Sequence, residues 1–279
     1  MVNISGILGI SILKKNNKYY IIFYDDHNNK KYCKQNINYI SDLLYKLNKL
    51  NNSSFYIEDY QQNYYNTDYY IWDNDEAPHL NKFNKLIKDY KTCYKWNFTD
   101  IRLYIGSDIK DIINSLNYIF NLNNRYANKD LKKIKSFFSY NNIKFVNYYF
   151  NILKQKFVSI LINNNNNNNN LYKYFFKGYL VNNIHFNNRE YELELLVDNL
   201  MELYTLTILN NKSTEINIFY YGLLHSVNLV YYLKLSGCEL IYSSGITEDN
   251  FKEKFDLQTL ENIQSCTEIN IDEITKYIT

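Results

Sequence analysis

The chain is short of the residues that punctuate most proteins: its 279 residues include 1 proline, 7 glycines, 4 histidines and 4 cysteines, and only three of its 31 basic residues are arginine. In their place stand 46 asparagines, 28 lysines and 31 tyrosines. These residues have AT-rich codons, so much of the sequence reports base composition. Charge of one sign is missing too. A formal net charge of +2, with lysine and glutamate interspersed, leaves no clustered positive face for nucleic acid. No apolar run approaches the roughly 18 residues of a spanning helix, and no basic region precedes the short apolar stretch between Met1 and Ile12, so a soluble, unprocessed chain is expected. Cys33, Cys93, Cys238 and Cys266 stand far apart without any C-x-x-C, which predicts reduced thiols in a cytosol-like compartment, neither a disulfide frame nor a zinc knot. Disorder is excluded by the abundance of core formers, since 46% of residues are hydrophobic and 18% aromatic.

What is present reads as α/β. Ile4 to Leu13 alternates, Lys15-Asn16-Asn17-Lys18 interrupts, and Tyr19 to Tyr24 follows; asparagine tolerates positive φ, so a hairpin is predicted. After Asp25-Asp26-His27, the spacing of Ile37, Ile40, Leu43, Leu44, Leu47 and Leu50 predicts a helix, and Ser54 to Ile57 a strand ending at Glu58-Asp59. Parallel pairing of these two strands would place His27 and Glu58 at the carboxyl edge of the sheet, where α/β proteins bind ligands. Residues 60 to 78 read as a polar, tyrosine-rich loop ending at Pro78, which predicts a helix over roughly His79 to Cys93. From Asp108 to about Ile162 the pattern is helical, with breaks near Asn123 and Asn141. Eight asparagines, Asn163 to Asn170, read as a flexible insertion, and helices are expected over Tyr172 to Val181 and Tyr191 to Asn210. A second strand–helix–strand unit runs through Glu215 to Tyr221, Leu223 to Leu235 and Cys238 to Tyr242. Two short amphipathic segments at the end are expected on the outside. The expected organisation is one α/β domain with a helical insertion at about 106–210, or alternatively a small helical lobe at 106–162 beside an α/β core.

Two of the histidines hold equivalent places, His27 just after one strand and His225 just after another. His79 and His185 do not, and are read as structural. Glu58 shares the strand-end edge, and Arg102 offers a planar fork suited to a carboxylate or oxyanion. Two imidazoles, carboxylates and a guanidinium suffice for hydrolysis by either of two routes. Either the histidines and acids hold a metal that activates water, or one histidine acts as base, oriented by a carboxylate, while Arg102 steadies developing charge. Each residue also has an ordinary reading. Histidines at strand ends commonly bond structurally, Arg102 has Asp100 and Asp108 within reach, and Asp198 and Glu202, four apart, suit a solvated helix face.

Tyr24-Asp25-Asp26-His27, the strand ending in Glu58, Asp100-Ile101-Arg102 and Tyr221-Gly222-Leu223-Leu224-His225 occur in an order that resembles the TraB/Tiki and erythromycin-esterase/ChaN-like superfamily, with its two Gly-x-x-His motifs around a glutamate and an arginine. The likeness is closest to a branch from large DNA viruses, where a segment similar to Asp198-Asn199-Leu200-Met201-Glu202-Leu203-Tyr204 precedes the second motif. It covers about Ile21 to Tyr242 as scattered short motifs. The resemblance implies an α/β fold and a peptidase- or esterase-type hydrolase with His27, Glu58, Arg102 and His225 as catalytic residues. It also implies a divalent cation (Mn, Co or Zn) on His27, Asp26, Glu58 and His225, with Asp198, Glu202 and Gly222 in support. One departure stands out: Tyr24 replaces the glycine of the first motif, which narrows backbone approach to a substrate. The alternative is a non-catalytic interaction or virion-associated protein that keeps the fold, with Tyr60, Tyr64, Tyr65, Tyr69 and Tyr70 offering a surface to a protein partner. The expected partners are a peptide or ester substrate and no nucleic acid. The expected location is cytoplasmic, in host cytosol or viral factory, or the virion, without secretion.

Overall fold

The structure, a computed structural model, describes residues 2–25, 33, 37–48, 50, 52–58, 96–106, 108–122, 128–140, 142–162, 189–251 and 266–276. His27, Asp26, the tyrosines of 60–70, the helices expected over His79 to Cys93 and Tyr172 to Val181, the asparagine run and His185 lie outside the described residues. The chain divides into two compact units, 1–98 with 214–279, and 99–213.

The first unit is built on strands β1 (Val2–Ser5), β2 (Gly9–Lys15), β3 (Lys18–Asp25), β4 (Ile37–Tyr39), β5 (Ser53–Ile57), β6 (Trp96–Phe98), β7 (Ile216–Gly222), β8 (Glu239–Gly245) and β9 (Cys266–Ile269). Among the described residues three helices accompany them: α1 (Ile40–Asn48), and after the second unit α7 (Leu223–Leu235) and α8 (Ile271–Lys276). The predicted hairpin is β2–β3, closed by Lys15 opposite Lys18 with Asn16 at φ 54°. The larger sheet has the order β6-β5-β7-β3-β2-β8. Strands β5, β6, β7 and β3 run parallel, and β2 is antiparallel to both β3 and β8. Thus β3 and β5 are parallel but not neighbours, because β7 lies between them.

Alternation along the strands makes two apolar faces. Ile10, Ile12, Ile21, Phe23, Phe55, Ile57, Ile216 and Ile218 face one way, where Ile40, Leu43, Leu44 and Leu47 of α1 pack against them. Asp42, Tyr45 and Lys46 leave the opposite side of that helix in solvent. Each buried leucine contributes about 1.5–3 kcal/mol, so the stripe holds the helix down more firmly than nine residues of propensity can. The expected helix therefore starts three residues late, since Ile37–Tyr39 are claimed by the parallel pairing of β4 with β1. The other face receives α7, which packs on β3, β7 and β2 and carries the chain to β8 at the far edge. Gly9 and Gly245 are register partners so close that a Cβ on Gly9 would lie 2.0 Å from the Ile246 carbonyl oxygen, and Gly245 holds φ 76°.

Strands β4-β1-β9 make a second, smaller sheet. Here two expectations are corrected. Cys33 and Cys266 are joined in a disulfide, so the reading of separate reduced thiols, and the cytosol-like compartment inferred from it, lose their premise for this pair; Cys238 is a buried free thiol. The end of the chain is not merely external: Ile269 and Ile274 are buried in the core cluster.

The second unit is helical: α2 (Arg102–Ile105), α3 (Ile109–Ile119), α4 (Lys129–Ser139), α5 (Lys144–Ile162) and α6 (Arg189–Asn210). Asp108 and Asn128 cap α3 and α4 by accepting the amides of Asp111 and Leu131 at 2.8 and 2.7 Å. Phe138 stacks on Phe150 with centroids 4.7 Å apart, and Phe120 lies against Phe157. Helix α6 is buried nearly all round between Leu196 and Leu209, the pattern of a central helix without a solvent face. Among the described residues no helix is long and apolar enough to cross a membrane.

Candidate active site

Strands β3, β5 and β7 are parallel, so their carboxyl ends share one edge of the sheet. Asp25 ends β3 and is register partner to Gly222, which ends β7; Glu58 follows β5 directly and continues its ladder by donating its amide to the Tyr220 carbonyl. Helix α7 starts at the same edge. Its N-cap is Gly222, which has no side chain to cap with, and its first turn is pinned by Ser226, whose hydroxyl lies 3.1 and 3.2 Å from the carbonyls of Tyr221 and Phe23.

Glu58 supplies what Gly222 lacks. Its Oε2 accepts the Gly222 amide at 2.7 Å, doing from a distant strand what the third residue of a capping box does locally. Its Oε1 stands 3.3 Å from His225 Nε2, and the two side chains are only 5% and 9% exposed. An ionised Glu58 suits this place twice over, at the positive end of the α7 dipole and against an imidazole edge. It is the Nε2 edge of His225 that faces the carboxylate.

Of the residues picked out in the sequence, this unit brings together Glu58, Gly222 and His225. His27 and Asp26 lie outside the described residues. The second unit holds the remaining three. Arg102 is pinned by Asp100, with Nε at 3.0 and 3.1 Å from the two carboxylate oxygens and Nη2 at 2.7 Å, and the Arg102 amide also donates to Oδ1. Its Nη1 lies 3.8 Å from Asp198. The fork expected to hold an oxyanion is thus occupied by a buried aspartate. Glu202 is fully buried, so the solvated helix face pictured for it is corrected, while Asp198 is partly exposed.

Asp25, the neighbour of the expected ligand Asp26, is fully buried beside Gly222. The ladder of β3 runs one residue past Tyr24 to include it. Tyr24 itself is packed in the sheet: its hydroxyl is 2.9 Å from the Ser11 hydroxyl, and burial pushes the phenol above its ordinary pKa range. The ring fills the core on the face opposite Phe23.

The donors at the edge are compatible with a cation. Glu58 Oε1 and His225 Nε2 have the separation of adjacent ligands on one tetrahedral ion, about 3.4 Å for bonds near 2.1 Å. Among the described residues no group of three or more His, Cys, Asp or Glu is placed to hold a metal. No family model matches the chain, and no curated protein or solved structure matches it either.

Proposed function

We propose that the protein is a hydrolase of peptidase or esterase type whose working pair is Glu58 and His225. The observation that supports this reading is the placement of a carboxylate-bound imidazole at the shared carboxyl edge of parallel strands, beside the start of a helix. In this reading His225 takes a proton from water as the water attacks the scissile carbonyl. Glu58, held by the Gly222 amide, stabilises the imidazolium that forms. The same proton then passes from His225 to the leaving alcohol or amine, restoring the pair. A cation on Glu58 and His225, completed by Asp26 and His27, would supply a water of lowered pKa and a Lewis acid for the carbonyl. The large-DNA-virus resemblance belongs to the same proposal, with a peptide or ester as substrate.

Burial of the pair favours a second reading, in which Glu58 and His225 only tie β5, β7 and α7 together and the protein works by binding a partner. One experiment separates the two. Purified protein is assayed on ester and peptide panels with and without Mn, Co or Zn, beside His225→Ala. The first reading expects a loss of about 10²–10⁴-fold in His225→Ala with the fold intact. Absence of turnover by the folded wild type under every cation would leave the binding role.

A further inference from the structure

We propose that the Cys33–Cys266 disulfide is a redox-operated latch on the strand–helix pair β9–α8. The pair is weak by itself. Four residues of β9 and six of α8 are each too short to persist without tertiary support. Non-covalent support comes from the register of β9 on β1, Val2 opposite Ile269 through Ser5 opposite Cys266, and from Ile269 and Ile274 in the core cluster. Thr267 adds a hydroxyl bond to the Ile7 carbonyl at 3.1 Å.

The bridge closes over the end of this arrangement. Cys266 opens β9, and the Cys33 amide donates at 3.2 Å to the hydroxyl of Ser5, the β1 residue in register with Cys266. Strand β1 is therefore held between its two partners, with the bond crossing at Ser5. The two cysteines are 233 positions apart, so the bond closes a very long loop and strongly restricts the opened states available to β9. Once the bond is cut, detachment of β9 and α8 exposes Ile4, Ile40 and the rest of the cluster beneath them while the larger sheet keeps its own ladders.

The chemistry is thiol–disulfide exchange. Two thiols give up two electrons and two protons to a small disulfide such as oxidised glutathione, which leaves as two thiols, through a mixed disulfide on one cysteine that the other displaces. Reduction is the reverse. Cys33 is buried and Cys266 half-buried, so an incoming thiolate reaches the bond at the Cys266 sulfur; Cys238 is buried as well, and burial raises its thiol pKa. The latch does not depend on whether Glu58 and His225 are catalytic.

The test uses the whole chain equilibrated in oxidised and in reduced glutathione, read by alkylation with peptide mass mapping and by amide hydrogen exchange. The oxidised sample is expected to yield a linked Cys33–Cys266 peptide. Reduction is expected to speed exchange across β9 and α8 by at least about tenfold, with β3 and β7 changed much less. Cys33→Ser/Cys266→Ser should match the reduced pattern and ignore glutathione. Should that variant fail to fold, the two states of the wild type decide. Free thiols at both positions in oxidised glutathione, or equal exchange of β9 in the two states, would overturn the latch.

Discussion

Glu58 and Gly222 are joined by a 2.7 Å bond from amide to carboxylate although 164 positions separate them in the chain. The bond couples the end of β5 to the start of α7, and it makes the charge of Glu58 a structural element as well as a chemical one. Glu58→Ala leaves the Gly222 amide without its acceptor and should cost about 1–3 kcal/mol in urea unfolding. Glu58→Gln keeps an oxygen for that amide and should cost clearly less, while removing the carboxylate that faces His225. Equal losses in both variants would mean that charge, not the amide bond, holds the edge together.

Tyr24 bears on the family motif. If a glycine were simply restored there, the ring would leave a cavity between sheet and helix, and Tyr24→Gly should destabilise by about 3–5 kcal/mol. Tyr24→Phe removes only the hydroxyl that meets Ser11 and should cost about 1 kcal/mol. Thermal unfolding of both variants checks the ordering.

A buried amine should shape the pH profile. Burial lowers Lys156 from 10.5 to about 8, against a smaller upward pull from Glu192. Between those two values the unfolded chain holds a proton that the folded chain has released, so stability should rise with pH across that window. The buried phenols act oppositely. Burial raises Tyr20 to about 12, and Tyr24, Tyr56 and Tyr204 higher, so their contribution is whole below pH 10 and is lost above it. Chemical denaturation from pH 7 to 11 should show a maximum at about pH 9–10. Lys156→Met should raise stability at pH 7 by on the order of 1–3 kcal/mol and remove the rising limb.

Arg102 and Asp100 invite a double-mutant cycle. Because the guanidinium is partly exposed, the coupling should be modest, about 0.5–1 kcal/mol, and Arg102→Lys should lose most of it by losing the fork. If Arg102 serves a reaction, Arg102→Lys should lower turnover by more than Asp100→Asn lowers stability predicts; matched effects would mark the pair as structural.

Local features were legible in the sequence, and long-range ones were not. The β2–β3 hairpin could be read because asparagine signals the turn on the spot. Helix α1 declared itself by its leucine stripe, and Glu58 and His225 stood out by lying just beyond strand-like runs. Nothing local told that β7 would enter between β3 and β5, which is what sets Glu58 against Gly222 and His225. The union of Cys33 with Cys266 was hidden for the same reason. The burial of β9 and α8 escaped because segments that short carry too few apolar residues to show a period. Asp25 is hard to pick out because the apolar run stops at Tyr24, whereas the ladder of β3 continues one residue further.

The central place of β7 has a consequence for synthesis. Strands β5 and β6 can pair with each other, and β2 with β3, soon after they leave the ribosome, but the two halves have no common border until residue 216 arrives, 159 positions beyond Ile57. At translation rates of roughly 5–20 residues per second the nascent chain waits about 10–30 seconds with two unfinished sheet edges. A chaperone that shields strand edges during that interval would matter more to the yield of this protein than to the rate at which the finished chain refolds.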